Sequence, residues 1–256
     1  MTYLLYAGAT VFALGYLLPL VVGALAVHRL SRMESLPRFE PRSPRSMPEE
    51  VQGFIADCVL PLRAEGFEPV GYYHMLGTAS KIETFVALFQ NRAAGDEAAV
   101  VSGYSMNMDA PPMSNHVVGF STEFADNTSV NVTNDSMPAL FAPDARHVHY
   151  KFPGLRDFTR LYKAHRALVA RHAPGRSGVL PTEGLEAVNL SNTWNRDFGR
   201  QVELGYYYED AADGTFRPTL RGAFVMTSKC LWPVKNVRAA RLRTRAAATL
   251  KSLNLN

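Results

Sequence analysis

IETFVALFQ, residues Ile82–Gln90, alternates Ile82, Thr84, Val86 and Leu88 with Glu83, Phe85, Ala87 and Phe89. A strand with this pattern is apolar on both faces, which calls for cover on both sides. The period of two extends outward from it. Phe67–Met75 reads as a strand before it, and Ala98–Met108, His116–Phe124, Thr128–Thr133 and Val148–Phe152 read as strands after it. The turns between them are short and hold Gly, Asn, Asp or Pro, and no helical pattern intervenes, so the spacing predicts an antiparallel β-meander of five to six strands.

Helical spacing flanks the meander. Val51, Phe54, Ile55, Cys58, Val59 and Leu62 make one apolar face before it, with Glu49 and Glu50 in the first turn to suit the helix dipole. Pro61 is expected to kink or shorten this helix and Gly66 to end it. Leu155, Phe158, Leu161, His165, Leu168 and His172 form a second face, and a third helix is expected after Pro181 toward Val202. Tyr206–Tyr208 and Phe216 read as an edge strand. The fold class is α+β, with helices over one face of the sheet. Were the meander to curl around a helix, Phe85, Phe89, Tyr104, Phe120 and Phe124, with Met106, would line an apolar cavity fit for a lipid or small hydrophobic ligand. Those aromatics equally suit an ordinary sheet–helix core.

At the amino end, Tyr3–Val27 reads YLLYAGATVFALGYLLPLVVGALAV, 25 residues without a charge. As a helix it reaches about 37 Å, against a hydrocarbon core of about 30 Å. The expectation is a transmembrane anchor over residues 1–30. Arg29, Arg32, Arg38, Arg42 and Arg45 follow against Glu34 and Glu40, which places the amino terminus outside and the bulk of the chain in the cytoplasm. Ala24-Leu25-Ala26 offers the alternative of a cleaved signal peptide, although a basic segment before the apolar run is missing. Residues 31–48, rich in Pro and Arg, read as an extended linker to an α+β domain at 49–213.

Charge is unevenly shared. The net charge is +4, yet 47–213 holds 13 basic against 21 acidic residues, and nine basic residues after Asp213 meet no acidic one. This basic segment, 214–256, is expected to form an amphipathic helix beyond Pro233, with Arg238, Arg241 and Arg245 in one stripe beside Ala239, Leu242, Ala246, Leu250 and Leu253. Lys229, Trp232 and Lys235 precede it. Together Lys229, Trp232, Lys235, Arg238, Arg241 and Arg245 suit an anionic leaflet. The same helix suits a groove on the chain's own acidic domain equally well. No nucleic-acid module accompanies the basic residues.

No catalytic motif is present: GxGxxG, P-loop, GxSxG and HExxH are all missing from the sequence. His147 and His149 share one face of a strand, a spacing that can bind a metal with His116, His74 or Asp144 as a third ligand, although structural or exposed histidines are the simpler reading. His165 and His172 lie on an apolar stripe and read as boundary residues rather than catalytic bases, with a buried imidazole next to a carboxylate as the feature to look for. Cys58 and Cys230 read as small hydrophobes in a reducing compartment. The sequence therefore implies a single-pass, membrane-anchored α+β protein without a cofactor, acting by binding or assembly at the membrane surface. A tethered lipid-binding domain and an enzyme of unfamiliar type are the alternatives.

Overall fold

The computed structural model describes residue 6 and residues 13–76, 82–105, 113–137 and 144–255. A π-helical turn, Ala13–Leu17, leads into α1, Leu18–Leu30; short strands β1, Met33–Glu34, and β2, Arg38–Pro41, follow. Helix α2, Glu49–Ala64, starts after Pro48, which has no N–H of its own to leave unpaired, and Gly66 at φ +84° turns the chain out of it. Pro61 does not end this helix: with Val51, Ile55, Cys58 and Leu62 all buried, the apolar face holds the last turn in place. Strands β3 (Glu68–Leu76), β4 (Ile82–Asn91), β5 (Asp96–Ser105), β6 (Met113–Glu123), β7 (Ser129–Thr133) and β8 (His147–Lys151) come next. Met106–Met108, expected to end the third strand, lie outside the described residues. Then come α3 (Phe158–His172), α4 (Glu186–Glu203), β9 (Tyr207–Asp210), β10 (Thr215–Pro218), α5 (Leu220–Cys230) and α6 (Val234–Ser252).

The chain divides into two units. The larger contains the described residues of Leu36–Met137, Pro143–Thr193 and Leu242–Asn256. Its sheet has seven strands in the order β2-β3-β4-β5-β6-β7-β8, neighbours in sequence throughout. The pairing is antiparallel up to β7, but β7 and β8 run parallel, so the sheet is mixed and not the pure antiparallel meander of five to six strands. The connection between them, from Thr133 to His147, is of the dozen-residue length that a parallel return needs. Helices also cover both faces and not one. Phe85, Ala87, Phe89, Ala98, Val100, Val118, Phe120, Val130 and Val132 pack with the buried residues of α2 and α3. On the opposite face Tyr73, Val86 and Leu88 pack with Ala187 and Leu190 from the first turns of α4. The double apolar face of β4 is explained by this two-sided cover.

The smaller unit contains Trp194–Arg241 and the described residues up to Ser35. Its sheet is three-stranded, in the order β1-β10-β9 and antiparallel, so Tyr207 and Phe216 belong to this sheet and not to an edge of the larger one. Its core is Phe198, Tyr207 and Phe216, with Met33, Trp194, Val202, Tyr206 and Met226 packed around it. Phe198 and Phe216 stack at 5.3 Å between centroids. Residues 31–48, expected as an extended linker, supply strands to both sheets: β1 pairs with β10, and Arg38–Pro41 pairs with Leu76–Tyr73.

Helix α1 packs against α5. His28 Nδ1 lies 2.8 Å from the Pro218 carbonyl oxygen, and farther along a Cβ on Gly23 would sit 2.9 Å from Thr227 Cγ2. The close approach is what needs glycine at 23. Among the described residues no helix is long and apolar enough to cross a membrane. The span expected at Tyr3–Val27 lies partly outside them, at residues 3–5 and 7–12.

Candidate functional site

Three arrangements in the molecule set polar or apolar groups where water or a protein core alone does not explain them. The first lies under α3. Asp96, at the start of β5, is fully buried, and its carboxylate accepts from Thr122 Oγ1 at 2.6 Å and Tyr162 OH at 2.8 Å. Arg166 Nη1 spans both carboxylate oxygens at 3.1 and 3.0 Å. His165, also fully buried, has Nε2 at 2.8 Å from Thr122 Oγ1 and 3.8 Å from Asp96 Oδ1. The Thr122 hydroxyl has one proton, and a 2.6 Å contact to a carboxylate uses it. Nε2 must then be the protonated nitrogen of His165, donating to Thr122. Nδ1 is left buried without a partner. Burial alone would raise the Asp96 carboxyl, but the nearby His165 imidazole and the hydrogen bonds from Thr122 and Tyr162 outweigh it and hold the pKa below its usual value. Burial pulls His165 down and keeps it neutral, against the opposing pull of Asp96.

The second crosses β5 and β6. Ser102 Oγ is 2.9 Å from His116 Nδ1, while His116 Nε2 is 3.7 Å from Glu50 Oε1 and its ring stacks on Phe54 at 4.4 Å. Serine, imidazole and carboxylate in a row resemble a nucleophile with its base. Ser102, however, is buried mid-strand, where its backbone N–H belongs to a ladder and not to an oxyanion hole. The row orients His116 between Ser102 and Phe54. Asp96, Thr122, Ser102 and Glu50 escaped the sequence reading because only cross-strand register and helix docking bring them to an imidazole. His165, on an apolar stripe, was the one legible signal.

The third is on the smaller unit. Leu14, Leu17, Leu18, Val21, Val22 and Leu25 are all exposed, at the three- and four-residue spacing of one helix side, and Leu14 reaches 61%. Gly23 and Ala24 face α5 instead. Trp232, after α5, is 74% exposed, and Lys235 and Arg241 are exposed too. Lys229 and Arg238 are half-buried; burial first, then Arg238, draws the Lys229 pKa down. Arg245 is exposed in the larger unit, where Ala246, Leu250 and Leu253 of the expected apolar stripe join the core.

The remaining expected residues fall as follows. Phe85, Phe89, Phe120 and Phe124 are buried in the core of the larger unit, and Tyr104 packs against it. A hollow of about 250 Å³ lies elsewhere in that unit, lined by Phe152, Leu155, Arg243, Ala246 and Leu250 among others. His147 Nδ1 meets Ser129 Oγ at 2.9 Å and His149 Nε2 meets Thr133 Oγ1 at 3.4 Å. Among the described residues no three His, Cys, Asp or Glu side chains are grouped to hold a metal. His172 is 2.9 Å from the Tyr150 hydroxyl. Both cysteines are free, and burial pushes the Cys58 thiol up to about 12, out of reach of thiolate chemistry. No family model, no curated protein and no solved structure matches this chain.

Proposed function

We propose that the chain is a single-pass membrane protein whose α+β units act by binding or assembly at the membrane surface. The observation behind this reading is the outward row Leu14, Leu17, Leu18, Val21, Val22 and Leu25. Six large aliphatic side chains in one uncharged row are costly in water, and such a row marks contact with a membrane or a partner. The sequence favours the membrane, because the uncharged run continues back to Tyr3 and the first charges after it, Arg29 and Arg32, are basic. Those arginines point the carboxy-terminal bulk to the cytoplasm. A role in binding is preferred over chemistry because the two imidazole clusters in the larger unit are built around buried Asp96 and buried Ser102. The ligand-binding alternative has weaker support, since Phe85, Phe89, Phe120 and Phe124 are buried in the core and none of them lines the 250 Å³ hollow.

The test is extraction of membranes from cells making the full chain. Retention in the pellet through alkaline carbonate, with a carboxy-terminal tag digested only after the membrane is opened on the cytoplasmic side, is the expected result. Release into the supernatant would overturn the reading.

A further inference from the structure

We propose that the end of α5 and the turn after it seat the smaller unit on the bilayer, with Trp232 in the headgroup layer of an anionic leaflet. The inference rests on the anchored reading of α1 and adds where along that helix the hydrocarbon stops. Helices α1 and α5 run antiparallel: His28 meets Pro218 just before α5, and Gly23 meets Thr227 near its end. Three more residues bring α5 to Cys230, about 4.5 Å farther toward the amino end of α1 at 1.5 Å per residue. That level on α1 is Pro19–Leu20. Trp232 follows there, on the side of the helix pair where the chain has no charge back to Tyr3.

Length supports this placement. Tyr3–Pro19 is 17 residues, about 26 Å as a helix, which sits at the short end of the range for spanning. A headgroup layer of about 5–7 Å then takes in the residues from Leu20 to about Ala24. Val21 and Val22 stand in that layer, and Arg29 lies beyond it. On α5 the same layer takes the half from Val225 to Cys230.

The side chains there fit the site. An indole exposed to 74% belongs to no core, and the headgroup layer is where a ring with one polar edge is favoured. Lys229, with its stem half-buried, is long enough to raise its ammonium to the phosphates. Lys235 is exposed beyond it, and Gly214–Asn256 holds no acidic residue to repel an anionic surface.

The test is tryptophan emission of the full chain in anionic nanodiscs, with lipids brominated near the headgroup or near the chain ends. The sequence has two tryptophans, so subtracting the Trp232→Phe spectrum isolates the signal; that ring is exposed, so the core is untouched by the change. The expected result is a blue-shifted Trp232 that loses most of its emission to bromine near the headgroup, less to bromine at the chain ends, and little to iodide in water. Zwitterionic lipid in place of anionic is expected to weaken the headgroup quenching, and an unchanged signal would overturn the anionic preference. A Trp232 quenched by iodide and indifferent to brominated lipid, in a chain that carbonate does not extract, would overturn this proposal alone. Extraction by carbonate would overturn it together with the anchor.

Discussion

Helices α1 and α3 both have an apolar row, and the two rows point to opposite surroundings. On α3, Leu161, Ala164, Leu168 and Val169 are buried in the core of the larger unit, while Arg160, Lys163, Arg166 and Arg171 occupy the other sides. Asp157 caps its start by accepting from the Arg160 amide. On α1 and the turn before it, Gly23 and Ala24 with half-buried Leu20 and Val27 make the side turned to protein, and Leu14, Leu17, Leu18, Val21, Val22 and Leu25 point away from it. A helix folding only against its own domain gains by the first arrangement and loses by the second. The inverted pattern is what the proposed anchoring asks of α1: one side packed on protein and the other left to the bilayer.

The most forceful way to break this contrast is to charge the outward row. Leu14→Asp with Leu17→Asp is expected to oppose insertion by up to about 5–7 kcal/mol, the ceiling set by about 2.5–3.5 kcal/mol for an aspartate at the centre of a span, with Leu17, nearer the headgroups, contributing the smaller share. The chain should then appear in the carbonate supernatant while near-ultraviolet circular dichroism of the Phe198–Phe216 core stays as in the wild type. Unfolding of that core would mean that the row serves the smaller unit, and the contrast with α3 would collapse.

On the α3 side, the contrast is sharpened by the polar clamp that fixes the helix to the sheet. Asp96→Asn is expected to cost about 2–4 kcal/mol, chiefly because the remaining amide serves the buried Thr122 and Tyr162 hydroxyls poorly, while the half-exposed Arg166 turns to water. Denaturant melts of the wild type and the variant measure it. The pH dependence has a defined sign. The Asp96 carboxyl sits below its usual value and His165 below 6.5, so both contributions are present at neutral pH. They fade on acidification, His165 from 6.5 downward and Asp96 from 3.8 downward, as the unfolded chain takes up protons that the folded one refuses. A loss under about 1 kcal/mol would show that the helix is held by its apolar row alone.

How much of this was legible beforehand differs between the units for a physical reason. In the larger unit the period of two from Phe67 to Thr133 located five strands to within a few residues, because each strand buries alternate side chains. The parallel return of β8 was not legible: direction depends on the path of residues 134–146, and alternation is the same for either sense. In the smaller unit the strands are two to four residues long and come from distant parts of the chain, Met33–Glu34 and Tyr207–Pro218. Two residues cannot display a period. The clusters around Asp96 and Ser102 were hidden for a related reason, since hydroxyls and carboxylates in strands look alike until register sets them opposite one another. The apolar row of α1 was legible in composition but not in direction; its outward turn appears only once Gly23 is found against Thr227.

The smallest expected effect concerns the other covered face of the seven-stranded sheet, where α4 begins. Glu97 stands across from Gln90 on β4 and faces Glu123 of β6, Glu186 of α4 and Tyr73 of β3. Gln90 is buried and neither of its amide atoms reaches hydrogen-bond geometry, yet the group lies near enough to draw the Glu97 pKa down somewhat. Burial, helped by Glu123 and Glu186, prevails and lifts Glu97 from 4.5 to about 7. A carboxyl that holds its proton more tightly when folded stabilises the fold at low pH, and the advantage is lost as pH rises from 4.5 toward 7. Glu97→Gln keeps the neutral shape, so it is expected to stabilise the larger unit by about 1–3 kcal/mol at pH 8 and to change little at pH 4.5. His165 works in the opposite sense over part of the same window, so the informative quantity is the difference between variant and wild-type melting temperatures, in which His165 cancels. A difference that is flat from pH 4.5 to 8 would place Glu97 in water, and the face under α4 would then be polar and open where the face under α3 is sealed.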